Sequence, residues 1–132
     1  MENNNTRPHK KLVVWQKSID LIEKIYRYTG KFPDSELYGL TNQLRRASVS
    51  VAANIAEEAA RKTTKDYLKY LNISRASLSE VDTLVDISLR LGYIDKSIHE
   101  DFSGMMNHIG AMLNGLIKKV KNSSLKPAPS EP

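Results

Sequence analysis

At 132 residues the chain has room for one domain with a real core and not for two. It contains no cysteine, which excludes disulfides and thiolate chemistry, and no apolar run approaches the ~20 residues of a membrane span. The formal net charge is +5, and the surplus sits towards the ends: residues 1–31 hold seven Lys/Arg against three Asp/Glu, while residues 32–92 balance.

Such a surplus permits nucleic-acid binding without demanding it. The absence of cysteine suits a reducing cytosol, and Met1 to Thr6 is polar and lacks the apolar core of a signal peptide, so a cytoplasmic protein is expected. Residues 1–10 read as a flexible tail, with Pro8 just ahead of the first periodic segment.

Helix one is expected over about 11–29. Leu12, Trp15, Ile19, Ile22 and Tyr26 form its main apolar stripe, and Val14, Leu21, Ile25 and Tyr28 a second shoulder. Together they cover more than one core face uses, so the shoulder is expected to meet another helix or another subunit. Gly30 supplies a stop, and Phe32-Pro33-Asp34-Ser35 reads as a turn in which Asp34 or Ser35 caps the next helix.

Helix two is expected over 35–62. Leu37, Leu40, Leu44, Ala47, Ser48, Val51 and Ile55 recur at steps of three and four on one side. A polar stripe runs beside them through Gln43, Arg46, Ser50, Asn54, Glu57 and Arg61, and the rest of the circumference is small. So little charge implies a central helix touched from more than one side.

Helix three is expected over 64–91, with Thr63 and Asp66 in a capping-box arrangement and Gly92 as the C-terminal signal. Its stripe is Tyr67, Leu71, Ser74, Leu78, Val81, Val85 and Leu89, leaving Ile73, Ala76 and Ile87 at the back. Helix four is expected over 95–121, capped by Asp95, with a stripe from Ile98 through Phe102, Met106, Ile109 and Leu113 to Val120; Gly104, Ala111 and Gly115 share its opposite side. Residues 122–132 are Ser/Pro-rich and read as a disordered tail.

Four helices with short connections predict an all-α, up-down-up-down antiparallel four-helix bundle spanning 11–121. Three patches exceed what one core can bury: Val14/Leu21/Tyr28, Ile73/Ala76/Ile87 and Gly104/Ala111/Gly115. They are the expected interface of a homo-oligomer.

Little chemistry can be assembled. None of His9, His99 and His108 has a carboxylate three residues before it, no glycine-rich loop opens a helix, and the parts of nucleophilic or metal catalysis are lacking. A non-enzymatic binding module without cofactor is expected. Glu57 and Arg61 read as an ordinary helical ion pair. Asn54 is either satisfied by a neighbour or fixes register between helices or subunits. Arg45 and Arg46 either flank the polar stripe or offer their planar guanidinium forks to phosphate.

The segment LTNQLRRASVSVAANIAE (Leu40–Glu57) resembles the signature of the bacterial four-helix bundle proteins known as 23S rRNA intervening-sequence or S23-like proteins. Within it Gln43, Arg46, Asn54 and Glu57 carry the motif. LVVWQKSIDL from Leu12, DYLKYLNISRASLSE from Asp66 and LGYI from Leu91 are similar to the family's other segments. Two positions depart, Glu58 and Ala76, where the family usually has glycine. The resemblance implies a ring-like homopentamer. Similar proteins are accessory subunits of diversity-generating retroelements, which implies RNA or DNA, and a reverse transcriptase or other nucleic-acid enzyme, as partners. On this chain Lys10, Lys11, Lys17, Arg45, Arg46, Lys118 and Lys119 are the candidate contacts. The alternative is a structural or protein–protein adaptor with no nucleic-acid role.

Overall fold

A computed structural model describes residues 7–125. Four antiparallel helices follow one another around a single core: α1 (Val13–Thr29), α2 (Leu40–Ala59), α3 (Thr64–Arg90) and α4 (Lys96–Leu125). Each packs on its chain neighbours and α4 returns to α1, while the backbones of the diagonal pairs stay further apart. This is the expected up-down-up-down bundle. No helix among the described residues is long and apolar enough to cross a membrane.

The core takes residues from every helix: Leu21, Ile25, Leu44, Val51, Ile55, Leu71, Val81, Val85, Ile109 and Leu113 are essentially fully buried. The closest seam lies between α2 and α3, where Ala47, Val51, Ala52, Ser74 and Ser77 keep the side chains short. There the Ser74 hydroxyl donates to the Val51 carbonyl at 2.8 Å, and the Ser50 and Ser77 hydroxyls meet at 2.7 Å. Elsewhere the buried hydroxyls of Ser18, Thr29 and Ser88 donate to the carbonyl one turn back, so polar atoms enter the core already satisfied.

Helix one uses its faces in the reverse of the expected order. Val14, Ser18, Leu21 and Ile25 face the core, while Leu12, Trp15, Ile19 and Ile22 are half-buried and Tyr26 is exposed. Val14 and Leu21 are therefore interior residues and not an oligomer patch, and Tyr28 is half-buried, edge-on to Phe102 of α4 at 5.7 Å. Ser18 explains the inversion. A serine that satisfies its own hydroxyl on Val14 takes up little volume and lets the smaller side of the helix pack inward.

Four boundaries also differ. Pro8–Lys11 form a 3-10 turn and Leu12 is extended, so α1 begins at Val13. Asp34–Glu36 form a second 3-10 turn and Gly39 breaks the path (φ −111°, ψ −113°), so α2 begins at Leu40 and Leu37 is exposed. The cap of α2 comes from neither Asp34 nor Ser35 but from Glu36, whose Oε1 accepts the Leu40 N–H at 3.2 Å. Its Oε2 accepts the Tyr93 hydroxyl at 2.9 Å, clasping the α1–α2 connection to the α3–α4 turn and raising the Tyr93 pKa. Finally, α2 stops at Ala59 and α4 runs on through Lys121 to Leu125. The expected flexible residues 1–6 and the tail beyond Leu125 lie outside the described residues.

The other caps follow the expected pattern. Thr63 Oγ1 accepts the Asp66 N–H and Asp95 Oδ1 accepts the Ile98 N–H. At the end of α3, Gly92 (φ +77°) donates to Leu89 and Tyr93 to Ser88, a Schellman closure that requires a left-handed residue. Gly92→Ala is therefore expected to destabilise the bundle by about 1 kcal/mol, read as a lower denaturation midpoint in guanidinium chloride.

Candidate functional site

Two surfaces collect the residues that could do chemistry or binding. The first is the outer side of α2. The Nε of Arg45 donates to Thr29 Oγ1 at 2.9 Å, and its guanidinium lies 4.5 Å from the Tyr26 ring centroid. Arg45 is thus half-buried and committed to holding α1 against α2. Arg46 is exposed. It borders an open groove of ≈ 570 Å³ with Tyr26, Asn42, Val49 and Ser50, and an adjoining one of ≈ 360 Å³ with Gln43, Ser77 and Glu80.

Below Arg46 the polar stripe closes on itself. Asn54 Nδ2 donates to the Ser50 carbonyl and hydroxyl at 2.9 and 3.1 Å, and Ser50 in turn meets Ser77 of α3. Asn54 is satisfied within its own helix, and the register contact between helices is made by Ser50. Glu57 is exposed and paired with Arg61. Of the signature residues, Gln43 and Arg46 are exposed along these grooves, whereas Asn54 and Glu57 serve the helix itself.

The second surface is one end of the bundle. Antiparallel connectivity brings the Pro8–Lys11 turn and the start of α1, the α2–α3 turn, and the last turns of α4 to the same end. Contacts at the far end fix that alignment: Lys24 pairs with Asp101 at 3.6 Å, and Tyr28 meets Phe102. Lys10, Lys11, Lys17, Lys62, Lys65, Lys69, Lys118 and Lys119 are all exposed. Residues 7–19, 57–69 and 105–125 together carry eleven Lys/Arg and three Asp/Glu, a surplus of eight, while the other described residues, 20–56 and 70–104, hold eight against ten and are net acidic by two.

The three carboxylates already subtracted from that surplus are each paired or partly withdrawn from solvent. Glu57 is bound to Arg61, Asp66 is half-buried in the first turn of α3, and Glu58 is half-buried with its pKa raised by desolvation. The aromatic rings at this end are engaged: Tyr70 lies under Arg61 at 5.1 Å and Lys69 at 5.2 Å, and His9 packs edge-on to a half-buried Trp15 at 5.0 Å.

The structure therefore divides the seven cationic candidates. Lys10, Lys11, Lys17, Lys118 and Lys119 share one end, whereas Arg45 and Arg46 sit in the opposite half, Arg46 about 20 Å from Ala59 at the end of α2 at 1.5 Å per residue. Lys62, Lys65 and Lys69, which complete the basic end, were not singled out in sequence, because the balanced charge of the central region conceals them. The outer patches behave differently from Val14 and Leu21. Ile73 and Ile87 are each 39% exposed, Ala76, Gly104, Ala111 and Gly115 are exposed, and a methyl group added at Gly104 or Gly115 would meet nothing within 4 Å.

Among the described residues no three His, Cys, Asp or Glu side chains converge as metal ligands. His99 Nε2 is 2.7 Å from Asp86 Oδ1 on the surface, and His108 is exposed.

The model of one protein family, 23S rRNA-intervening sequence protein, matches residues 10–115. Lys118 and Lys119 lie beyond the matched range. Among solved structures, the chain is similar to a protein of unknown function from the S23 ribosomal protein family of Bacteroides thetaiotaomicron VPI-5482, with a TM-score of 0.75 and 23% identity over 80% of this chain and 96% of that one. No curated protein matches the chain.

The raised pKa of Glu58 has a sign that can be measured. Its folded-state pKa lies above the unfolded value, so the charged form opposes folding and stability falls as pH rises from about 4.3 through the folded pKa. Glu58→Gln is expected to raise the melting temperature at pH 7, with the gain vanishing below about pH 4. An unchanged or lower melting temperature at pH 7 would contradict this.

Proposed function

The chain belongs to the 23S rRNA-intervening sequence protein family, and on that premise we propose that it is a non-enzymatic, oligomeric binding module that engages nucleic acid through the basic end of its bundle. The observation that carries this reading is the segregation of charge: a surplus of eight at one end of a chain whose total is +5. Three separate stretches contribute lysines to that end, and its carboxylates are ion-paired or partly withdrawn from solvent. A surface of this kind holds phosphates by charge and not by fixed geometry, because lysine is a flexible point charge.

The structure changes which residues the reading uses. Arg45 is tied to Thr29 and Tyr26, so the pair Arg45/Arg46 is no longer the centre of the contact, and Lys10, Lys11, Lys62, Lys65, Lys118 and Lys119 replace it. Assembly is proposed through the outer faces of α3 and α4, where Ile73, Ala76, Ile87, Gly104, Ala111 and Gly115 remain uncovered in a single chain. The pentameric number rests on the family resemblance. The second reading, a protein adaptor, is favoured by a different observation: Val49 and Tyr26, at 43% and 44% exposure, flank the Arg46 groove away from the basic end.

Titrating the purified protein into a structured RNA across a salt series tests the binding reading. Affinity is expected to fall steeply as salt rises, and no binding even at low salt would reject it in favour of the adaptor. Static light scattering tests the assembly: the expected mass is about five times the 14.9 kDa of one chain, and a mass of one chain at high concentration would refute it.

A further inference from the structure

Resting on the basic-end reading above, we infer that the nucleic acid held there is a duplex, bound through its phosphates and without readout of base sequence. The first argument is the kind of side chain present. The exposed cations of the end are lysines apart from Arg7, while Arg61 is already shared between Glu57 and Tyr70. Bidentate reading of base edges is favoured by the planar donor forks of Arg, Asn and Gln, whereas lysine is a flexible point charge suited to phosphate. Gln16 spends its amide on the Lys10 carbonyl, Asn114 accepts from Arg75, and the exposed amides of Asn107 and Asn122 lie about 22 Å apart along α4.

The second argument concerns stacking. Single strands are held by aromatic faces on which successive bases lie. At the basic end Tyr70 is covered by two cations, and Trp15 and Tyr67 are half-buried. The more exposed rings, Tyr38 at 91% and Tyr26 at 44% with Arg45 over one face, belong to the opposite half. A strand stacked on them would leave the lysines behind.

The third argument is charge density. Four helices packed ~10 Å apart present an end roughly 20 Å across. Over that length a duplex offers about twelve phosphates and one strand about six. About half of the duplex charges face one way, which still leaves two neighbouring rows for lysines that arrive from α1, the α2–α3 turn and α4. A surplus of eight distributed over three elements matches two rows better than one.

Fluorescence anisotropy with the full chain discriminates these cases. The probes are a duplex RNA, a duplex DNA of the same sequence, a duplex of scrambled sequence, and oligouridine of equal length, each about 20 nucleotides long, so that a duplex of roughly 70 Å more than spans the end. Every duplex is expected to bind about tenfold or more tightly than oligouridine, with scrambling changing affinity less than about threefold and a log–log salt slope near −6. Preference between the two duplexes then assigns RNA or DNA as the source. Lys118→Gln with Lys119→Gln is expected to reduce the slope by about two, and Tyr26→Ala to leave it unchanged. Oligouridine binding as tightly as the duplexes, or a loss on Tyr26→Ala, overturns the inference while leaving the binding function standing. Absence of binding to all four probes at low salt overturns both.

Discussion

The α2–α3 seam is the contact on which the rest of the bundle depends. Two serines of α3 approach α2 closely enough for one hydroxyl to reach a backbone carbonyl and the other to reach a hydroxyl. Such distances need short side chains on both helices, and alanine, serine and valine provide them. Once α2 and α3 are locked in register, α1 and α4 are placed as the outer pair, each lying against one of them and against each other. The polar stripe of the signature segment is best understood in this setting. Ser50 belongs at once to that stripe and to the seam, and Asn54 supports Ser50. A segment that looks like a binding motif in one dimension is in large part the device that sets helix spacing.

Much of this architecture was legible before any coordinates. Helices α3 and α4 announce themselves through period, cap and stop: Thr63, Gly92 and Asp95 each perform the role their position suggests. Ser48 and Ser74 are buried on the stripes where their spacing put them, whereas Ser18, Ser77 and Ser88 are buried although their polarity suggested exposure. On α1 that reading inverted the two faces, because the stripe with Trp15 and Tyr26 is larger and looked like the core. Leu37 was drawn into helix two by its spacing, whereas the chain spends that stretch in a 3-10 turn and a bend at Gly39 that no period reveals.

The site was legible in a different proportion. The terminal lysines stood out as a surplus, but the balanced stretch from 32 to 92 hid the contribution of Lys62, Lys65 and Lys69. Charge counted along a chain averages over residues that topology later separates. Folding sends the acidic part of α3 to one end and the α2–α3 turn to the other. Arg45 shows the converse limit, since its commitment to Thr29 and Tyr26 crosses two elements and has no signature in local sequence.

The separation of a strongly positive end from a net negative remainder gives each copy an electric dipole along the bundle axis. In the field of a polyanion such a molecule experiences a torque before it makes contact, so it approaches lysine end first and fewer encounters are wasted on wrong orientations. Copies arranged side by side and pointing the same way would add their dipoles, and copies alternating in direction would cancel them. In any such arrangement the relative direction of the copies, and not only their number, would decide whether the charge gathers at one pole or spreads over both rims.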